Sequence, residues 1–305
     1  MKHILSITDF SRDELLQIIE KARDIKSSPI TYCDAARGSI IATLFFEPST
    51  RTRLSFESAA LRLGANVLGF ADANTTSTKK GETLEDTIKI VNGYADYIVM
   101  RHFETGAAAR AAAVSHVPIV NAGDGSGEHP TQALLDIFTI AEKIPLNNLI
   151  IAFVGDLKYG RTAHSLSQGL AHFNPKFYFI SPSSLRMPEE ILTKLKNQGI
   201  SCQELETWDE IARGVQVLYM TRVQEERFQD KAEYARLKNA YVLNKATAAL
   251  FKDDCLFMHP LPRVGEINPE IDNDQRAIYF KQAHNGVWVR MALFLALDGE
   301  RRGLI

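Results

Sequence analysis

Within Phe45-Phe46-Glu47-Pro48-Ser49-Thr50-Arg51-Thr52-Arg53, five consecutive positions hold three hydroxyls and two guanidiniums. Such groups gathered at one point bind a tetrahedral oxyanion through charge-assisted hydrogen bonds. Their place in the chain strengthens this reading. Ile40–Phe46 is an apolar run of the kind found in buried parallel strands. Leu54, Phe56, Ala59, Ala60, Leu61 and Leu63 then recur at helical spacing up to Gly64. The polar cluster therefore falls where a strand turns into a helix. Free backbone N–H groups point outward there, and the helix dipole favours an anion. A plain N-cap at Ser49 or Thr50 followed by two solvated arginines is the competing reading.

The same pattern recurs along the chain. Tyr97-Ile98-Val99-Met100 runs into Arg101 and His102, and Val117-Pro118-Ile119-Val120 leads through a glycine-rich turn to His129-Pro130-Thr131-Gln132. Val154 leads to Gly155-Asp156-Leu157-Lys158-Tyr159-Gly160-Arg161-Thr162, Tyr219-Met220-Thr221 to Arg222-Val223-Gln224, and Met258 to His259-Pro260-Leu261-Pro262-Arg263. Ligands of open α/β sheets bind beyond the carboxyl ends of the strands. Arginines repeated at successive strand ends point to a phosphate and one or more carboxylates. Gly155-x-x-x-x-Gly160-Arg161-Thr162 has the outline of a P-loop but lacks its lysine. Gly123-x-Gly125-x-Gly127 has the wrong spacing for a dinucleotide site, and no Gly-x-Ser-x-Gly elbow occurs. What survives is catalysis by positioning and electrostatics, with no covalent intermediate, metal or cofactor.

The elements that must position these residues alternate between strand and helix. Strands are predicted at 40–46, 66–70, 97–100, 117–120, 149–154, 177–180, 217–221 and 256–258, and helices at 11–25, 51–63, 84–94, 131–143 and 285–297. The fold class is α/β: two domains, each a parallel β-sheet flanked by helices, with the active site in the cleft between them. Ile144-Pro145-Leu146-Asn147-Asn148 reads as a boundary. One domain is then 1–133 plus 285–305, the other 149–284, joined by a linking helix at 134–148. Segment 72–83 is polar apart from Ala73, and a loop of that length is functional or disordered.

A chain of 305 residues with net charge −2 and 24% charged residues is an ordinary globular protein. No basic block suggests nucleic acid, and no apolar stretch reaches the ~20 residues of a membrane helix. Cys33, Cys202 and Cys255 lie far apart and read as buried or idle thiols of a reducing cytoplasm.

Taken in order, Ser49–Arg53, the Lys79-Lys80-Gly81-Glu82-Thr83 loop, Met100-Arg101-His102, His129–Gln132, Asp156–Thr162, Thr221–Gln224 and His259–Arg263 resemble the aspartate/ornithine carbamoyltransferase family over essentially the whole chain. The last two motifs point to the aspartate branch, since ornithine relatives carry a His-Cys-Leu-Pro strand end and lack Thr-Arg-Val-Gln. The resemblance implies that Ser49, Thr50, Arg51, Thr52, Arg101, His129 and Gln132 hold carbamoyl phosphate, with the backbone carbonyls of Leu261 and Pro262. Lys80, Arg161, Arg222 and Gln224 would hold aspartate. Arg51, Thr52, Arg101 and His129 would serve the oxyanion as the amine attacks, and the departing phosphate would take the proton. In the family the Lys80 loop comes from a neighbouring subunit, which implies a homotrimer with shared sites. The hydroxyl of that loop would be Thr76 or Ser77. Residues 224–238 correspond to a mobile flap. Chain order also resembles members that pair with a separate zinc-containing regulatory chain. A carbamoyltransferase for another amino acid such as ornithine, or a non-catalytic homologue, are the alternatives.

Overall fold

The computed structural model describes residues 3–125, 127–224 and 231–301. It divides into two compact units, Met1–Phe138 with His284–Ile305, and Thr139–Ala283. The division falls inside two helices, Pro130–Ala141 and Tyr279–Arg301.

The first unit is built on strands β1 (Ile40–Phe45), β2 (Asn66–Phe70), β3 (Tyr97–His102) and β4 (Ile119–Asp124), all parallel in the order β2-β1-β3-β4. Helices α1 (Arg12–Ser27), α2 (Thr50–Arg62), α3 (Leu84–Val91), α4 (Ala107–Val114) and α5 (Pro130–Ala141) accompany them. Helix α1 starts at a capping box: the Ser11 hydroxyl accepts from the Glu14 N–H, and the Glu14 carboxylate accepts from Ser11 N–H. On one side of the sheet Ala42, Leu44, Ile98 and Met100 pack with Leu84, Ile88, Ala107 and Ala111, all buried. The chain leaves β1 toward β2 on one side and returns to β3 on the other, so the strand order reverses between β1 and β3. Phe45 pairs with Arg101 at that point.

The second unit carries β5 (Ile150–Val154), β6 (Lys176–Ile180), β7 (Ser201–Leu205), β8 (Val217–Met220) and β9 (Leu256–Met258), all parallel in the order β7-β6-β5-β8-β9. Its helices are α6 (Arg161–Leu170), α7 (Glu189–Asn197), α8 (Lys231–Leu237) and the short α9 (Lys245–Ala248), and α10 (Tyr279–Arg301) follows. The order reverses between β5 and β8, where Val154 pairs with Met220. The reversal of strand order thus lands on the two richest motif ends in each sheet.

Three differences from the sequence-based expectation have physical causes. Strand β7 was not foreseen because Ser-Cys-Gln-Glu-Leu at a sheet edge carries almost no apolar signal. Helix α4 was missed because its run of alanines has no polar–apolar contrast. The last helix begins at Tyr279 rather than 285, since Asn285-Gly286 lies inside it.

Candidate active site

Ser49 occupies the N-cap of α2, but its hydroxyl makes no capping bond. The first backbone bond of the helix runs from Arg53 N–H to the Ser49 carbonyl at 3.0 Å. The N–H groups of Thr50, Arg51 and Thr52 stand ahead of the helical ladder, which is the backbone anion site expected there. Arg51 is exposed and Thr52 buried. Arg53 turns away from this point. Its Nε lies 3.5 Å from Glu57 Oε1, and Glu57 also accepts from Thr43 Oγ1 at 3.1 Å, so Arg53 ties the turn to the body of the unit.

Arg101, across the switch point, has an Nη2 2.8 Å from Glu47 Oε2. Its pKa is lowered by burial, partly restored by Glu47 and lowered again by the charge of Arg51. The Nε of Arg101 is buried with no hydrogen-bond partner among the described residues. Two guanidiniums close enough to repel, one still holding a donor, favour an anion between them. Glu47 serves as the counter-charge. It sits in the opening motif yet was given no role, and its signal is an acid wedged between a strand end and Pro48.

His129 and Gln132 stand at the head of α5. A buried knot sets them there: Asp124 Oδ1 accepts from Glu128 N–H at 2.9 Å and from Asn121 Nδ2 at 3.2 Å, and Oδ2 accepts from Gly106 N–H at 2.8 Å. Gln132 donates Nε2 to Asp136 Oδ1 at 2.9 Å, which leaves its Oε1 as an acceptor for a ligand N–H. His102 is spent on structure: its Nδ1 accepts from Glu104 N–H at 3.0 Å and its ring stacks on Phe103.

The Lys80 loop forms two short turns, Ala73–Thr75 and Ser77–Lys80. Thr76 caps the second, accepting from Thr78 N–H at 3.4 Å and donating to the Ala73 carbonyl at 2.7 Å. Ser77 and Lys80 are exposed.

In the second unit Gly155 has φ +118°, and a Cβ there would lie 2.3 Å from the Thr221 carbonyl, so only glycine lets the ends of β5 and β8 cross this closely. Thr221 Oγ1 donates to the Val154 carbonyl at 3.0 Å, and Gln224 Nε2 donates to the Tyr159 carbonyl at 3.1 Å. These bonds join the Asp156–Arg161 turn to the Arg222 segment. Arg161 is the first residue of α6, a helix start with no side-chain cap. Asp156 is fully buried, one oxygen accepting from Tyr159 N–H at 3.0 Å and the other without a hydrogen-bond partner among the described residues. Burial raises its pKa against those backbone donors.

The end of β9 is held by a clamp. His259 Nδ1 accepts from Leu261 N–H at 2.8 Å, and His259 Nε2 lies 2.7 Å from Glu266 Oε1. Glu266 Oε2 accepts from the N–H groups of Val264 and Gly265 at 3.1 and 3.0 Å. Burial, opposed by Glu266, lowers the pKa of His259; the charges of Arg263 and Arg222 lower it further, which places Arg222 beside this strand end. The clamp fixes the Leu261 backbone at φ +56° ahead of the cis Leu261–Pro262 bond. Arg263, one of the cationic strand-end residues, is committed elsewhere: it pairs with Asp272 and covers the ring of Tyr279 at 5.4 Å. Of the flap, residues 225–230 lie outside the described residues.

The structure therefore gathers Ser49, Thr50, Arg51, Thr52, Arg101, His129 and Gln132 within one unit. Arg161, Arg222, Gln224, Leu261 and Pro262 are gathered in the other. Fold and donor sets define a two-unit α/β protein built to take anions at the carboxyl ends of both sheets.

Residues 2–142 match the aspartate/ornithine carbamoyltransferase carbamoyl-P binding domain, and residues 147–297 the Asp/Orn binding domain of the same enzymes. The aspartate carbamoyltransferase catalytic subunit of Clostridium novyi is 50% identical over 300 residues, covering 98% of each chain. That of Halorubrum lacusprofundi is 47% identical over 291 residues, covering 95% of this chain and 93% of its own. Among solved structures, the M. jannaschii aspartate transcarbamoylase catalytic subunit superposes with a TM-score of 0.92 at 45% identity, covering 99% of this chain and 100% of that one. The Trypanosoma cruzi aspartate transcarbamoylase in complex with carbamoyl phosphate and aspartate does so with 0.92 at 38% identity, covering 97% and 96%. The chain belongs to the aspartate/ornithine carbamoyltransferase family.

Proposed function

We propose that the chain transfers the carbamoyl group of carbamoyl phosphate to the amino group of L-aspartate, giving N-carbamoyl-L-aspartate and phosphate. The observation that carries this reading is the pair of switch points. One offers a helix start with Arg51 and Arg101, suited to a phosphate; the other offers Arg161 and Arg222, suited to a dicarboxylate. The aspartate nitrogen attacks the carbamoyl carbon, the bond from that carbon to the phosphate oxygen breaks, and the departing phosphate takes the amine proton. Arg51, Thr52, Arg101 and His129 serve the developing oxyanion. Gln132 Oε1 and the carbonyls of Leu261 and Pro262 accept the N–H groups of carbamoyl and amine. Carbamoyl phosphate belongs to the unit read as 1–133 with 285–305 and aspartate to 149–284. Purified chain offered aspartate and ornithine in parallel, with colorimetric detection of the ureido product, tests this. Product from aspartate alone is expected; product from ornithine, or from neither, sinks the reading.

Arg222→Ala is expected to raise the aspartate KM by roughly ten- to a hundredfold, the ~1.5–3 kcal/mol of one charge-assisted contact. Initial-rate kinetics in both substrates check it. Loss of carbamoyl phosphate saturation with unchanged aspartate saturation would show the half-sites to be interchanged.

The site is completed by Lys80 of a neighbouring copy, with Ser77 rather than Thr76 reaching the phosphate, because the Thr76 hydroxyl is engaged in capping its own turn. Exposed Leu54 and Leu61, two turns apart on α2 at 52 and 62%, suit a face covered in a homotrimer. Lys80→Ala and Arg51→Ala are each expected to be nearly inactive. Mixed and reassembled, they should regain activity, because some sites then draw both wild-type residues from different chains. Absence of recovery in a mixed trimer would place both residues in one chain's site. A zinc-containing regulatory chain is a further partner under this reading, and a cytoplasmic location suits the three free cysteines.

A further inference from the structure

Helix α10 carries a guanidinium that the chemistry above does not use. Arg290 is 3% exposed. Its Nη1 donates to Ser55 Oγ at 2.6 Å, its carbon lies over the ring of Phe56 at 4.5 Å, and its Nε is buried with no hydrogen-bond partner among the described residues. Burial lowers its pKa to about 9 against the opposing charge of Asp136. Asp136 is itself fully buried and accepts from Gln132 Nε2 at 2.9 Å. One turn earlier on α10, Gly286 makes the room: a Cβ there would meet Arg290 Nη1 at 2.2 Å. A buried charge of this kind is a poor device for stability, since an apolar side chain of similar volume avoids the desolvation. Its contacts explain its presence better, because they lead from a distant part of the sequence to the phosphate half-site from two directions. Ser55 and Phe56 stand on α2 one turn beyond Thr52, and Gln132 stands in the first turn of α5.

We propose that Arg290 is a positioning residue for carbamoyl phosphate, holding Asp136 as a carboxylate so that Gln132 presents its Oε1 to the carbamoyl NH₂, and holding α2 through Ser55 so that its first turn meets the phosphate. The inference rests on the carbamoyl phosphate reading of this half-site. An ionised Asp136 can only accept, so it takes the Gln132 NH₂ and leaves Oε1 for the ligand. With this cation removed from a dry site, the charged form of Asp136 is disfavoured, and once protonated it becomes a donor. The Gln132 amide then turns over and sets an NH₂ against the carbamoyl NH₂.

The test uses the full chain with Arg290→Met, Gln132→Ala and the double variant, reading both KM values, kcat and inhibition by inorganic phosphate. Arg290→Met is expected to raise the carbamoyl phosphate KM roughly tenfold, the effect of one charge-assisted contact, and to leave the aspartate KM little changed. In the Gln132→Ala background most of that effect should vanish, while the part carried by α2 persists as weaker phosphate inhibition. Full additivity of the two substitutions, or an unchanged carbamoyl phosphate KM in Arg290→Met, overturns the inference. Should Arg290→Met not fold, Asp136→Asn replaces it: the same rise is expected, and a folded Asp136→Asn with wild-type KM overturns the inference. Gln132→Ala with wild-type carbamoyl phosphate kinetics would instead overturn the reading of the half-site itself.

Discussion

Arg51→Ala is expected to lower kcat by roughly 10²–10³, the usual cost of removing one preorganised oxyanion donor, with no measurable change in thermal unfolding. The two halves of that expectation have separate causes. Arg51 is exposed at the start of α2, so its removal uncovers little apolar surface. Its charge is nevertheless felt by Arg101, whose pKa it helps to lower. Two cations facing one space repel until an anion enters. Charge growing on the carbamoyl oxygen and the leaving phosphate relieves that repulsion, so Arg51 binds the transition state better than the ground state. Arg51→Lys should recover only part of the loss, because an ammonium cannot reproduce the planar fork. Steady-state kinetics with melting curves on the same preparations check both halves. A near-normal kcat in Arg51→Ala would remove Arg51 from the chemistry.

The cations of the two half-sites were legible in the sequence, and the acids set behind them were not. Arg51, Arg101, Arg161 and Arg222 each follow an apolar run, and a parallel strand built from such a run must deliver its next residues to one edge of the sheet. Acids carry no such signature. Glu47 matters because it meets Arg101, Asp136 because it accepts from Gln132, and Glu266 because it meets His259. Those pairings are made by topology, which local pattern does not record. The same limit explains the fold. Buried strands such as β5 and β8 announce themselves by continuous apolar residues, whereas β7 does not. Strand β4 runs on to Asp124 because Asn121 and Asp124 are buried by bonding to each other and to neighbouring backbone. Glycine misleads in a comparable way: Gly286 reads as a helix start, yet it is an interior position kept small for Arg290.

Glu266→Ala should lower both stability and aspartate turnover, and the pH dependence separates its two effects. Glu266 is 5% exposed and receives His259 Nε2 together with two backbone N–H groups. Removing the carboxylate leaves the buried His259 Nε2–H unmet, a loss of about 3 kcal/mol and on the order of 6–10 °C in Tm. It also frees the His259 ring that holds Leu261 N–H, so the Leu261 and Pro262 carbonyls lose their fixed aim and kcat should fall at least tenfold. Burial alone would raise the Glu266 pKa, but the hydrogen bond from His259, with the backbone N–H groups, brings it down from 4.5 to about 2. The folded chain therefore keeps this carboxylate ionised where the unfolded chain has protonated it, and stability from it is complete above about pH 4.5 and lost as pH falls toward 2. Burial also lowers the His259 pKa from 6.5, so an unfolded imidazole takes a proton that the folded ring refuses, and stability again falls with acid. Wild-type Tm is thus expected to decline on acidification below about pH 6.5, more steeply below 4.5. Glu266→Gln keeps the shape and one acceptor oxygen, so its Tm should start lower at pH 7 and fall less below pH 4.5. A Glu266→Gln profile parallel to wild type across that range would mean that the carboxylate titrates alike in the folded and unfolded chains, and that the clamp on β9 is held by packing rather than by charge.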